Sequence, residues 1–463
     1  MRIGLLAILL ARPAFTQQVD RSTRPAVPPP VPFKSPTVQR HALANGLSVS
    51  VIEDHSIPVV SVRAVINTDS LWDPPGKEGL FATTLGALRE GSTKRSGDEL
   101  ARAAAAIGTS VTPTGFTTIS SAFEPALDLM AEMLTKPGFD SSVIERRKVI
   151  QAAAARRVAQ TRVTVPRHLF YSVLFGPDDP FVRSLLPTET AIGSIAGSDV
   201  SRFYYTFFSP RGTTVIVVGD VSDSVAVAAV SKSFGAWQPR GEPPDIEVFG
   251  LVGAQPRIYL RDVPTAGSQA YMYVGGLGPS HIGADVVAAE VFGAVASARL
   301  QESLRDKRSF MYSGTVGLTF RHGQGTFVGS TVVSAQKADS ALSEWLRILR
   351  ELRTTRPPTV EEVDAVKRNR VGALPSRFEG PDSTAGRLLE LVRDGLPRDY
   401  YERYADKMSA LTAADVLASG ARYADPDRMV IVVTGDRRLL EPTLRAANLA
   451  PIVIIDDSGR PVP

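Results

Sequence analysis

Five histidines and no cysteine set the limits of the chemistry this 463-residue chain can hold. Without a thiol there is no disulfide, no thiolate metal site, no cysteine nucleophile and no lipid anchor on cysteine. The histidines are His41, His55, His168, His281 and His322, and no two stand within a helical turn or two of each other. Ligands on one helix face must be three or four residues apart, so no imidazole pair is available to a helical metal site. His281 and Asp285 are the nearest i, i+4 pair, and at a helix start they read as a solvated cap. No Gly-x-Ser-x-Gly elbow occurs, so a serine hydrolase is unsupported. Gly275-Gly276-Leu277-Gly278 follows a strand but lacks the Gly-x-Gly-x-x-Gly spacing, and reads as turn glycines rather than a phosphate cradle. The net charge of +4 is small for this length, and its basic residues are interspersed with acids, so a nucleic-acid footprint is not indicated.

The elements that must position any site are organised by a repeat. Ile195–Asp220 and Leu411–Asp436 align without a gap: Asp199 with Asp415, Val200 with Val416, Pro210 with Pro426, Gly219 with Gly435 and Asp220 with Asp436. Each copy reads as a capped helix, a turn at the proline and a β-branched run ending in Gly-Asp. The offset of 216 residues that separates Asp199 from Asp415 is far too long for a solenoid. It implies a duplicated domain, in a chain longer than one hydrophobic core usually supports.

In the first half, strands are expected at Ser48–Ile52 and Val59–Ile66, and a helix over Gly79–Glu90. A second helix follows over Ser96–Ile107, opened by a Ser96/Glu99 capping box. Val111–Phe123 reads as paired strands, and Pro125–Leu134, Ser141–Val158 and Ser222–Phe234 as helices. The second half repeats the order. Strands are expected at Arg257–Arg261, Gln269–Val274, Met311–Phe320 and Thr326–Val333, with helices over Ala284–Arg308, Asp339–Arg353 and from a Thr359/Glu362 box to Val371. The fold class is therefore α+β, with two homologous domains, each a sheet packed with helices.

Met1-Arg2 followed by the apolar run Ile3–Ala11 has the shape of a secretory signal peptide, too short for a membrane-spanning helix, with an uncleaved N-terminal anchor as the competing reading. The expected organisation is a signal peptide at 1–16, a proline-rich leader at 17–37, a first domain at 38–236, a linker at 237–250 and a second domain at 251–463. No other stretch is long and apolar enough to span a bilayer. The expected address is periplasmic or secreted.

Several ordered phrases resemble the insulinase or pitrilysin family of zinc metallopeptidases: LANGL (43–47), GLFATTLGALREGSTKRSGDELA (79–101), FFSPRGTTVIVVGDV (207–221), FGAVASARLQESLRDKRSFMYS (292–313) and GLPRDYYERY (395–404). The resemblance covers nearly all of the chain after the leader, and implies two domains forming a clam-like half-chamber. In active relatives the helix matching Gly79–Glu90 carries His-x-x-Glu-His, two zinc-binding imidazoles and a glutamate base on one face. The positions matching that motif here are Ala82, Leu85 and Gly86. A third, glutamate ligand would fall at about Ala152. None of the four binds a metal or accepts a proton, so no cofactor is expected in this chain.

The family also carries an arginine and a tyrosine seven residues apart that face the zinc site and bind substrate near the scissile carbonyl. Arg305 and Tyr312 match those places. A guanidinium and a phenol both donate to a carbonyl that becomes an oxyanion. In two-subunit relatives one chain carries the zinc motif and the other the Arg/Tyr pair. The resemblance thus implies a non-catalytic subunit, pairing as a heterodimer with a zinc-bearing homologue and assisting hydrolysis of an extended peptide there. The family's peptide-binding sheet edge matches Thr109–Thr118, where Pro113 removes one donor. The alternative is an inert structural or peptide-holding protein of the same fold.

Overall fold

A computed structural model describes residues 33–161, 164–239, 256–321 and 324–462. The signal peptide, all but the last residues of the proline-rich leader, most of the linker and His322 lie outside the described residues. The side chains of residues 312, 313, 321 and 324 do as well.

Each half is built around one mixed sheet. The first contains β1 (Gln39–Ala42), β2 (Ser48–Glu53), β3 (Val59–Val65), β4 (Gly115–Ile119) and β5 (Thr214–Gly219), in the order β1-β2-β5-β3-β4. The second contains β6 (Ile258–Asp262), β7 (Gln269–Leu277), β8 (Met311–Arg321), β9 (Gln324–Ser334), β10 (Val430–Gly435) and β11 (Ile452–Ile455), in the order β11-β6-β10-β7-β9-β8. The shared part is β2-β5-β3-β4 against β6-β10-β7-β9. In both, the first pair is parallel and the next two antiparallel. β5 and β10 are the repeated β-branched runs. They lie central in their sheets and are buried on both faces, as continuous apolar strands must be.

Helices fill one face of each sheet with that half's own core. Leu88, Leu127, Met130, Phe203 and Phe208 are among those packing the first, and Phe292, Trp345, Leu349 and Leu444 among those packing the second. The other face is covered by exchange. The helix Thr164–Phe175 of the first half lies on the second sheet, where Leu169, Phe170 and Leu174 meet Tyr259, Val430 and Val432. The helix Gly380–Arg393 of the second half lies on the first sheet, where Ala385 and Leu388 meet Ile52, Ile216 and Val218. Thr164 and Gly380 are related by the same offset as the repeat, so the exchange is symmetrical. Asp382 ties it down by accepting from Ser61 (3.2 Å), Thr117 (3.0 Å) and Arg63.

Both capping boxes form, at Ser96/Glu99 and Thr359/Glu362. Three readings are corrected. Val111–Phe123 is not a pair of strands, since β4 alone is a strand there and a 3-10 turn at Ser120–Ala122 leads from it into the helix Phe123–Thr135. Gly275 and Gly276 are not turn residues but the interior of β7, paired with Val328 and Phe327. The helix expected at Ala284–Arg308 is regular only over Val286–Leu300 and widens into a π-helical stretch at Gln301–Lys307.

Candidate functional site

The helix Leu80–Arg89 places Ala82, Leu85 and Gly86 in the first half, and the helix Ser141–Ala159 lies along it bearing Ala152. The start of the first helix is held by Asp73. Its carboxylate accepts from the backbone N–H of Gly79 and of Phe81, both at 2.7 Å. Burial pushes the Asp73 carboxyl up to about 7, against the pull of those two donors. The two helices are then laced by side chains. Thr83 donates to Gln151 (2.5 Å), and Gln151 donates to the carbonyl of Gly79 (2.9 Å).

Gly86 allows a close approach that decides the character of the site. A Cβ at this position would lie 2.7 Å from Nε of Arg147. The guanidinium therefore rests on the helix where the resemblance places a zinc-binding imidazole. Arg147 reaches Glu90 at 3.5 Å and Arg146 reaches it at 2.7 Å. A guanidinium sits where a divalent cation would need donors, and Ala82, Leu85 and Ala152 offer none. The residues present do not fit a zinc ion. Among the described residues no three His, Asp or Glu side chains converge as a metal site.

Arg305 lies in the second half, in the π-helical stretch Gln301–Lys307, and Tyr312 on β8 beside the register shift between Met311 and Gly314. The stretch is pinned from both sides. Leu304 is fully buried, while Ser303 and Arg308 (3.3 Å) bind the carboxylate of Glu344. Arg347 also donates to Glu344, at 2.6 Å, and with these partners holds its carboxyl down to about 2. Ser309 turns the chain with a left-handed backbone (φ 53°), its N–H donating to the carbonyl of Arg305 at 3.1 Å. Arg305 is left half exposed, beside Asp306 (4.0 Å), and lines a groove of about 530 Å³ with Gln269, Phe310, Met311 and Val333. A guanidinium presented in this way can donate to a carbonyl or carboxylate laid in the groove.

The structure therefore places the two sets of sequence-derived residues in different halves. None of the residues lining the Arg305 groove comes from Leu80–Arg89. The edge strand matching the peptide-binding segment is β4, whose partner in the sheet order is β3 alone. Sequence reasoning missed Arg147 over Gly86 and the Glu344 cluster, since both depend on how helices approach. His281 is not the solvated cap it seemed. It is buried, stacked on Phe320 with ring centroids 4.1 Å apart, while Asp285 accepts from Tyr423.

A crystal structure of a peptidase M16 inactive domain from Pseudomonas fluorescens shares this fold, with a TM-score of 0.76 at 23% identity, covering 86% of this chain and 98% of that one. Residues 194–370 match the family described as the peptidase M16 inactive domain. This is the M16 peptidase fold. A protease from Helicobacter pylori has it too, with a TM-score of 0.77 at 17% identity over 86% of this chain and 99% of that one. The first half of the periplasmic protease PqqL from Escherichia coli gives 0.71 at 13% identity, covering 91% and 97%. Against the whole of PqqL, at 16% identity, the chain spans 49% of the length, about half of that protein. A search of curated proteins found no match. The insulinase-type resemblance read from the phrases is borne out, and with it the α+β class. Among the described residues no helix is long and apolar enough to cross a membrane.

Proposed function

We propose that this chain is a non-catalytic subunit of a periplasmic or secreted zinc peptidase, supplying Arg305 and Tyr312 to the active site of a zinc-bearing homologous partner. The observation that carries the reading is the asymmetry between the halves. The positions that the resemblance assigns to zinc carry Ala82, Leu85, Gly86 and Ala152, with the Arg147 guanidinium against Gly86, while Arg305 is presented on a clamped turn at an open groove. The chain's span of about half of PqqL supports a homologous partner. Val149 and Ile150, on the helix that bears Ala152, are 70% and 50% exposed and offer apolar surface for such a partner or its substrate.

In this reading the peptide lies extended, with backbone hydrogen bonds to a sheet edge supplying affinity at little sequence preference. Arg305 and Tyr312 donate to the scissile carbonyl as charge develops on its oxygen, and the partner's zinc-bearing residues activate the water. Losing one such donor lowers kcat by about 10²–10³ in a typical oxyanion site. The decisive measurement is peptidase activity of the purified chain, of its zinc-bearing partner and of the mixture. Activity is expected in the mixture alone, and an Arg305→Ala chain should still bind the partner while activity falls at least tenfold. Full activity from the partner by itself, or from the Arg305→Ala mixture, would leave the inert peptide-holding reading in its place. Stoichiometric zinc in the purified chain would defeat both.

A further inference from the structure

A cavity of about 950 Å³ lies where the first half meets the second. Asp69, Ser70 and Leu71 with Phe181 and Ser184 form its first-half wall. The helices Val286–Leu300, Val360–Gly372, Gly380–Arg393 and Tyr400–Ala410 contribute to the rest, with β8, His281, the short helical turn Pro375–Phe378 that carries Arg377, and Asp394 and Gly395. Its size suits a small organic ligand or a short peptide. One side is aromatic. His281 lies flat on Phe320 and meets Tyr400 edge-on, with centroids 5.7 Å apart. Burial pushes His281 below its ordinary value, so this wall is neutral at pH 7.

The charges of the lining are nearly all committed. Glu290 is held by Arg370 (3.1 Å) and by the Tyr404 hydroxyl (2.9 Å). Glu390 is held by Arg387 (2.6 Å) and the Tyr401 hydroxyl (2.9 Å), and Asp394 by Arg393 (2.7 Å). Asp69 caps the N–H of Leu71 at 2.8 Å. Arg377 differs. Among the described residues no carboxylate lies within ion-pair range of its guanidinium, whose charge is felt by Tyr400 and Tyr404. A cation has no free acid to meet in this cavity, and a dianion would find one free guanidinium. The match is a single negative charge on a flat group, carried by an apolar body.

We propose that this cavity is a binding site for an aromatic carboxylate, its carboxylate on Arg377 and its ring against the wall of His281, Phe320 and Tyr400. A short peptide ending in an aromatic residue presents that chemistry, and so does a free aryl acid. The proposal concerns this chain alone and does not depend on the partner or on Arg305.

Calorimetric titration of the full chain tests it, with N-acetylphenylalanine, its amide, N-acetylglycine and the tripeptide Ala-Ala-Phe as probes. N-acetylphenylalanine should bind saturably at millimolar concentrations or below. Its amide, lacking the charge, and N-acetylglycine, lacking the ring, should each bind at least tenfold more weakly. Arg377→Gln should weaken the acid at least tenfold and leave the amide unchanged, with thermal unfolding confirming that the variant is folded. If that variant fails to fold, the acid-against-amide comparison on the native chain decides. Ala-Ala-Phe is expected to bind at least as well as N-acetylphenylalanine, which assigns the site to peptide termini, and its exclusion would overturn that source in favour of a free aryl acid. Equal affinity for acid and amide, an unaffected folded Arg377→Gln chain, or no binding of the acid would overturn the proposal.

Discussion

Two helix pairs, one in each half, show how the duplicated frame diverged. In the first half, Leu80–Arg89 and Ser141–Ala159 are drawn together by Gly86 and Gln151, and Arg147 closes the contact. In the second half, Val286–Leu300 and Val360–Gly372 are joined by Arg370 and Glu290, and beside that pair lies a 950 Å³ cavity with an aromatic wall. Both pairs use an arginine of the second helix and a glutamate at or after the first. The difference is what stands beside the ion pair: a glycine that admits the guanidinium, or open volume. A scaffold held by its sheet and exchanged helix tolerates either, because neither feature belongs to the core that keeps the fold.

The sharpest way to break the comparison is to attack what both halves share. Phe170→Ala removes the first half's contribution to the second sheet, and Leu388→Ala the second half's to the first. Each truncation leaves a cavity in a fully covered face and should cost about 3–4 kcal/mol in denaturant unfolding. Since each sheet needs the other half's helix, one cooperative transition is expected in both variants. Two separated transitions would show that the halves are energetically independent and the exchange superficial.

A smaller contrast lies within the repeat itself. Gly219 and Gly435 occupy equivalent places at the ends of β5 and β10, yet their backbones differ. Gly219 has φ 136°, and a Cβ there would stand 2.1 Å from the carbonyl oxygen of Val59. At Gly435 the backbone is not left-handed, and a Cβ would meet the tip of Leu440 at 2.7 Å and the carbonyl oxygen of Gln269 at 2.9 Å, a looser fit than at Gly219. Gly219→Ala should therefore lose about 3 kcal/mol and Gly435→Ala about 1 kcal/mol, read from the shift in unfolding midpoint at constant slope. Equal losses would mean that the two strand ends are under the same constraint after all.

Those strand ends were legible because β-branched runs buried on both faces and a Gly-Asp stop are local signals. The capping boxes at Ser96 and Thr359 were legible for the same reason. The exchanged helices were not. Thr164–Phe175 is almost continuously apolar with Pro166 in its first turn, so its period is blurred. Gly380–Arg393 is diluted by Gly380, Pro381 and Gly386. The glycines of β7 were misread because the need for them is tertiary: a Cβ at Gly275 would meet the carbonyl of Phe327, 2.3 Å away on β9. The positions matched to the family's zinc ligands, and Arg305, stand out only through the family phrases. What surrounds them, Arg147 on Gly86 and Glu344 under the turn, is set by helix approach and leaves no pattern along the chain.

The turn that carries Arg305 has a pH signature. The Glu344 carboxyl is held near 2 in the folded chain, against an ordinary value of 4.5. Its contribution is present above 4.5 and is lost as pH falls through 2. Glu344→Gln should flatten that part of the stability profile and remove on the order of 2 kcal/mol at pH 7. Thermal unfolding across pH 2–5 checks it, and an unchanged acid limb would mean that the cluster does not hold the turn.

The smallest expected effect on stability is at Arg147, and it probes the first-half pair most directly. Arg146 still holds Glu90 when Arg147 is truncated, and the Arg147–Glu90 contact is long and partly exposed. Arg147→Ala should therefore change stability by no more than about 1 kcal/mol. Its effect on metal binding should be large. In a chain carrying Ala82→His, Leu85→Glu, Gly86→His and Ala152→Glu, the side chain at 86 and a bound Zn²⁺ would both have to displace or face the guanidinium. Two like charges totalling three units within a few ångströms repel by several kcal/mol, even at a protein dielectric of about 20. Adding Arg147→Ala to that variant should raise zinc affinity more than tenfold, measured by competition with a metal indicator. Equal affinity with and without Arg147 would mean that the guanidinium fills the site without guarding it, and that the loss of ligands alone separates the two helix pairs.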